Sequence, residues 1–148
     1  MAIEQCITNV AKQFLLGNPD GLSSAPDWTS SSGWVIALID DSVDVGPTTV
    51  SLNSGVGELA ATGGYTTGKA IALTTSKDAT TGTIMADFAD ASWTSASFTA
   101  SGAIIYAGSG AKYAVVVLDF GGPKTVSSGT FTVQFPLADI NNAIVRLT

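Results

Sequence analysis

The densest group of acidic side chains in the sequence is Asp40, Asp41 and Asp44, three acids within five residues. Carboxylate oxygens at such density are the ligands that Ca²⁺ takes in proteins. Their spacing does not match an EF-hand loop, and no ordered set of further oxygen ligands follows them. The stretch is better interpreted as a polar turn at the end of a strand, and no metal site is predicted.

A second group, Asp87 and Asp90, places two acids three positions apart. Two carboxyl groups about 5–10 Å apart across a cleft carry out acid–base chemistry in glycosidases. The exit of a strand into a loop accounts for both residues without chemistry. The chain also has no histidine, which removes Ser-His-Asp and Cys-His arrangements and the commonest metal ligand. We therefore predict no catalytic residues and no enzyme.

A loose dinucleotide-binding pattern, GVGELA, occupies residues 55–60, with Asp78 near the distance expected of a ribose-binding acid. The fingerprint needs a buried strand before its glycines and a helix of several turns after them. The residues that follow, TGGYTTG at 62–68, cannot form such a helix. No cofactor site is predicted.

The charge balance argues against nucleic acid as a direct partner. Twelve acids oppose six Lys and Arg, for a net charge of −6, and the cations are scattered rather than clustered as a phosphate backbone requires.

Cys6, the single cysteine, excludes an intramolecular disulfide and is interpreted as a buried structural thiol. The apolar runs are too short for a bilayer, and the opening MAIEQ lacks signal-peptide features. These features predict no membrane partner and synthesis in a cytoplasm.

The elements of the chain are organised around residues 93–135, where three runs have strand character. Residues 97–106 and 130–135 alternate between polar and apolar side chains, which predicts half-buried strands. Residues 114–118 are apolar throughout, which predicts a central strand covered on both faces. Glycine-rich breaks separate the runs. The simplest interpretation is a three-stranded meander.

The first 32 residues are predicted to form a helix followed by a long loop. Apolar residues at helical spacing predict one amphipathic helix over residues 2–16. Residues 18–32 form a loop of a length that is often functional or held by a partner. The helix packs on the chain's own sheet or docks as an arm on a neighbouring subunit, and the loop's tryptophan has the same two options. The candidate partner-interface residues are Ile3, Ile7, Phe14 and Trp28.

Further strands are predicted at residues 33–40, 69–75, 83–88 and 143–147. The first of these has apolar side chains on both faces. The spacing of all the strands is typical of sandwiches and barrels. The predicted fold is one mainly β domain, residues 1–148, an antiparallel sandwich or barrel of about seven to eight strands with one N-terminal helix. Residues 1–32 are its candidate interaction arm and residues 33–148 its β-core.

With an enzyme disfavoured, two other classes of function fit these features. A carbohydrate-binding module would stack sugars on exposed aromatic rings, although strand positions favour a core role for several of them. The candidate platform residues are Trp28, Trp34, Trp93, Tyr65, Tyr106 and Tyr113. A structural component of an assembly fits a charged fraction of only 12%, about half the usual share, because partners then cover part of the surface.

The order of several sequence blocks resembles a family of small structural proteins of tailed phages. The resemblance covers most of the chain. The blocks are FLLG at 14–17, WVIALID at 34–40, GGYTTGKA at 63–70, WTSASFTA at 93–100, GAIIY at 102–106, VLDFGGPKTV at 117–126, GTFTV at 129–133 and AIVRL at 143–147.

This resemblance implies a virion protein, most simply a capsid cement (decoration) protein on the outer shell, assembled in the host cytoplasm. Tail or neck roles stay open as the alternative, with a carbohydrate-binding module more distant. The implied partners are the major capsid protein and further copies of the chain, as a trimer where capsomers meet. The family supplies no catalytic residues to transfer.

Overall fold

A computed structural model of the protein describes residues 2–17, 26–51, 57–107 and 112–148. The chain is mainly β, with 51% strand and 5% helix. Its elements are, in order, β1 (Cys6–Ile7), α1 (Asn9–Leu15), β2 (Trp34–Ile39), β3 (Lys69–Ile71), β4 (Leu73–Lys77), β5 (Ile84–Phe88), β6 (Ala91–Ala107), β7 (Tyr113–Val133) and β8 (Val145–Leu147). Within the described ranges, no helix combines the length and hydropathy that a bilayer crossing requires.

The strands form two antiparallel sheets that do not close into a barrel. The larger sheet has the order β1-β7-β6-β2-β3, and the smaller has the order β4-β5-β8. The main cluster of buried side chains draws on both sheets, with Ile36 from β2, Phe88 from β5 and Val145 from β8. Two sheets that share one core make a sandwich, which confirms the predicted mainly β fold class.

Strand β2 is covered on both faces, as its sequence predicts. Trp34, Ile36 and Leu38 belong to the main cluster between the sheets. Ala37 and Ile39 belong to a second cluster on the other side of the larger sheet. Because alternate side chains of a strand point to opposite faces, only an apolar run without polar positions fits this place.

Residues 69–75 form two strands rather than the single strand predicted. Residues Lys69–Ile71 pair with β2 in the larger sheet, and Leu73–Lys77 pair with β5 in the smaller sheet. Ile71 and Leu73 are both buried in the main cluster, with the exposed Ala72 between them. The chain therefore turns a corner of the sandwich here, and period-two alternation continues through the corner.

The later strand predictions are largely correct. In β5, Ala86 and Phe88 lie in the core as predicted, but Ile84 is 42% exposed. It lies opposite Leu147 of β8, which is also exposed. The predicted terminal strand is present as β8.

The predicted three-stranded meander is wrong, because its second and third runs belong to one strand of 21 residues. Strand β7 pairs with β6 along its length, and the register moves from Gly102↔Asp119 to Ala100↔Lys124. The extra residues form a bulge at Gly121, whose φ is 69°, and its neighbour Gly122. Glycine adopts positive φ without strain, so this break bends the strand instead of ending it.

The predicted N-terminal helix is correct only in its second half. Cys6–Ile7 is a strand that pairs with β7, and the helix runs from Asn9 to Leu15. Thr8 causes the change, because its hydroxyl accepts a hydrogen bond from the Ala11 amide at 3.1 Å and donates one to the Ala114 carbonyl at 2.6 Å. A threonine at the N-cap has an extended backbone, so the helix begins after it and does not include the residues before it.

Candidate functional site

Several of the acidic side chains accept hydrogen bonds from the backbone at turns and at strand exits. Asp87 is buried, and its Oδ1 accepts a hydrogen bond from the Phe88 amide at 2.9 Å. Asp90 is exposed and accepts one from the Phe135 amide at 2.8 Å. The two carboxylates thus bind different segments of backbone, as the strand-exit interpretation predicts. Burial raises the pKa of Asp87, the Phe88 amide opposes that rise and the charge of Asp90 adds to it.

The remaining acidic turns follow one pattern, in which a carboxylate accepts hydrogen bonds from the residues just after it. Asp40 accepts them from the amide and hydroxyl of Ser42, which confirms the predicted polar turn. At Asp78, the hydrogen bonds from the amide and hydroxyl of Thr81 lower the carboxyl pKa. In the described part of the chain, no three acidic or thiol groups come together as a metal site would require.

The residues behind the rejected dinucleotide pattern have a structural role. Residues 52–56 lie outside the described part of the chain, and residues 57–68 contain turns and a bridge but no helix. Glu58 accepts hydrogen bonds from the Tyr65 hydroxyl and the Gly68 amide, both at 2.8 Å. The Tyr65 hydroxyl also accepts one from the Leu38 amide. This network fastens residues 57–68 along the larger sheet.

The structure places each of the four candidate interface residues, all half-buried, against the protein's own core. Ile3 bridges to Val45 beside the second cluster, and Ile7 lies in β1. Phe14 meets the ring of Tyr113 at 5.1 Å, and Trp28 meets Trp34 at 4.9 Å. Their contacts lie on different clusters and elements, so the structure does not bring the four together. Their role in partner binding stays a prediction.

The aromatic residues considered for sugar stacking are mostly inside the sandwich. Five of the six are buried, and the sixth, Trp28, is half-buried against its neighbour. The five buried rings belong to Trp34, Tyr65, Trp93, Tyr106 and Tyr113. A ring needs an open face to stack on a sugar, so these five form no platform.

The most distinctive surface feature is the outer edge of β7. At the start of the strand this edge is covered, because Ser51 bridges to Tyr113 and β1 pairs with Val116 and Val117. From residue 119 to residue 133, no described strand pairs with β7 on the side away from β6. We call residues 119–133 the open edge. Its backbone groups on that side are free to pair with another strand.

An apolar groove of about 390 Å³ lies along the open edge. Its lining consists of one phenylalanine and one lysine near the bulge of β7 and of four consecutive residues that begin in the last part of β7. These residues are Phe120, Lys124, Phe131, Thr132, Val133 and Gln134. The two phenylalanine rings lie 6.1 Å apart, and Phe131 packs on Phe98 at 5.1 Å. The groove floor is therefore continuous with the main core.

The groove continues into a second hollow beyond the end of β7. Gln134 lines both, and Phe135, Pro136 and Leu137 complete the second, which has a volume of about 480 Å³. Leu137 is 79% exposed, one of the largest exposures of an apolar side chain in the described residues. An uncovered leucine beside an apolar groove marks a surface suited to a protein partner.

The open edge is electrically neutral in an acidic chain. Across residues 119–137 the only charged side chains are Asp119 and Lys124, whereas the whole chain carries −6. The Asp119 carboxylate is occupied locally, since it accepts a hydrogen bond from the Gly121 amide at 2.9 Å. A neutral, hydroxyl-rich edge can approach another protein surface without the repulsion that the rest of the molecule generates.

The sequence predicts strand character for residues 130–135 but not their place at an edge. The alternation of these residues predicts which side chains point inward. It does not predict which strand, if any, pairs with them on each side. One available signal is the uncharged window TFTVQF at 130–135, which has high β propensity and no proline or glycine.

Comparison of the chain with protein-family models, with curated proteins and with solved structures finds no match in any of the three.

Proposed function

We propose that this chain is a structural protein of a tailed-phage virion, a capsid cement protein that binds the outer shell between coat subunits. Two features support the proposal. The order of the sequence blocks resembles a family of such proteins over most of the chain. The structure carries an open strand edge with an apolar groove and an exposed leucine, features of a surface that joins proteins.

The physical mechanism requires only selective binding. A cement protein that binds the assembled shell but not free coat subunits stabilises the shell by mass action, by about 2.7 kcal/mol per site at one hundred times its dissociation constant. The major capsid protein is the proposed partner. An acidic surface also keeps such a protein away from the packaged genome, because like charges repel.

Binding to capsids tests the proposal directly. Purified protein is added to expanded tailed-phage capsids that lack it, and bound protein is counted against coat protein by quantitative gel analysis. We expect saturation at a fixed ratio and a higher disruption temperature in calorimetry. Free coat subunits serve as the control, and they should bind no protein.

Two results would overturn the cement role. The first is failure to bind capsids at any concentration. The second is recovery of the protein in purified tails but not in heads, which would assign it to the tail or neck instead. The trimeric state on the shell, where capsomers meet, remains a prediction, and the number of copies at each such joint in a map of the capsid checks it.

A further inference from the structure

We propose that the open edge joins two copies of this chain, with residues 130–134 of each copy paired antiparallel across a two-fold axis. The partner at this surface is a second copy of the same chain, bound through backbone hydrogen bonds and through the groove. This association concerns the free protein, so it does not depend on the proposed capsid role and is tested separately from it.

The first support is that features that prevent a free strand edge from pairing with other chains occur in only the first part of the open edge. Natural proteins shield free edges with bulges, proline and lysine. Residues 119–128 carry all three, because Gly121, Gly122 and Pro123 form the bulge and Lys124 follows. Ser128 has a φ of 51° and its amide donates to the Ser97 hydroxyl. Residues 130–134 have no such device.

The second support is the sequence of the unprotected part. Residues 130–134, TFTVQ, are uncharged and alternate polar with apolar side chains. Segments of this composition pair with identical segments. Thr130, Thr132 and Gln134 are exposed, while Val133 is buried and Phe131 half-buried on the core. The inward side chains hold the segment in place as a strand, so its outer backbone groups are already arranged for pairing.

The third support is that the segment proposed to pair also lines the groove. Four of the six groove-lining residues, Phe131 to Gln134, lie within residues 130–134. Antiparallel pairing of this segment across a two-fold axis therefore brings the groove linings of the two copies side by side, a self-complementary arrangement of the kind that two-fold dimers use.

The charge distribution makes this edge a better surface for binding a second copy than the acidic rest of the molecule. Two chains of −6 repel each other wherever their acidic surfaces meet. Across residues 119–137 the charges are one acid and one lysine, so two such edges meet without a net charge.

Mass measurement tests the proposal. Sedimentation equilibrium of the full chain should give twice the chain mass of 15.0 kDa. The double variant Thr130→Lys/Gln134→Lys should sediment at the chain mass, because a two-fold axis brings four lysines onto one short edge and like charges across strands repel. Both positions are exposed, so the fold should survive, and circular dichroism checks this.

A matched double variant controls for charge. Thr74→Lys/Ser76→Lys adds the same two charges at exposed positions of β4, in the smaller sheet and away from the open edge, and should remain dimeric. Hydrogen exchange locates the contact, since amides of residues 130–134 should lose protection when the protein is diluted. A monomer at every concentration, a trimer, or a dimer unaffected by Thr130→Lys/Gln134→Lys would overturn the proposal.

Discussion

The side chain of Asp87 is buried, and the only hydrogen bond of its carboxylate in the described structure comes from the amide of the next residue. Its pKa is raised above the ordinary value of 3.8, mainly by burial. The folded chain therefore holds this proton more tightly than the unfolded chain does. It follows that the free energy of unfolding falls as pH rises from 3.8 through the raised pKa of the folded state.

Replacing Asp87 by asparagine should remove this loss. Asparagine keeps an oxygen for the Phe88 amide but has no charge to bury, so Asp87→Asn should raise the urea midpoint at neutral pH. The gain should shrink toward zero as pH falls below 3.8. Asp41→Asn, an exposed control with the same change of charge, should leave the urea midpoint at neutral pH nearly unchanged. Equal midpoints for Asp87→Asn and the native chain at neutral pH would contradict the account.

Gly63 is required both by its backbone angle and by a close neighbour. Its φ is 58°, and a β-carbon there would lie 2.2 Å from the Ser97 carbonyl oxygen. The Gly63 carbonyl also accepts a hydrogen bond from the Ser97 amide at 2.7 Å, so this approach pairs residues 57–68 with β6. Position 63 therefore has neither room for a β-carbon nor a backbone angle that other residues readily adopt.

Alanine substitutions of Gly82 and of Gly63 separate the cost of the positive φ from the cost of the close contact. Gly82 has a φ of 74° but nothing within 4 Å of its β-carbon position, so Gly82→Ala should cost only the positive-φ strain, about 1–2 kcal/mol. Gly63→Ala should cost about 1–2 kcal/mol more, because backbone must also move. Urea unfolding of both variants measures the difference. Equal losses would show that residues 57–68 shift freely away from β6.

At the scale of elements, the sequence predicts what is buried better than where the chain turns. The double burial of β2 follows from its apolar run. Predictions failed at three junctions, namely the bulge at residues 121–123, the corner at Ala72 and the strand-to-helix change at Thr8. At each one, side-chain periodicity continues while the backbone changes direction. Periodicity reports faces, and pairing partners and corners depend on the rest of the fold.

The same limit applies to the candidate site. Ile3 and Ile7 fit a helical spacing with the residues that follow, yet a stretch this short fits a strand equally well. The open edge was not predicted because an edge strand and an inner half-buried strand have the same alternation. Its groove depends on Phe120 and Phe131 meeting across the bulge at 6.1 Å, a contact that no local pattern encodes.

Helix α1 has only seven residues, so its stability depends on its cap and its packing. Thr8→Ala removes the hydroxyl that accepts from Ala11 and donates to Ala114. We expect a loss of about 1–2 kcal/mol in unfolding free energy. Thr8→Ser keeps both hydrogen bonds and should recover most of that loss. If serine were as damaging as alanine, packing of the threonine methyl group rather than capping would be the cause.

At the scale of the molecule, an acidic body with a neutral edge predicts how association responds to salt. The two copies in the proposed dimer each carry −6 and repel at long range. Screening acts over about 30 Å at 0.01 M salt and about 8 Å at 0.15 M. Added salt should therefore weaken the repulsion between the bodies and leave the contact at the uncharged residues 130–134 unchanged.

Sedimentation across this salt range should show tighter dimerisation as salt increases. The Thr74→Lys/Ser76→Lys control reduces the negative charge of each copy without touching the edge, so its dimerisation should depend less on salt. The opposite trend, dissociation by salt, would mean that attraction between charged groups outside residues 130–134 holds the two copies together. Backbone pairing at residues 130–134 would then be secondary, because it involves no charge that salt can screen.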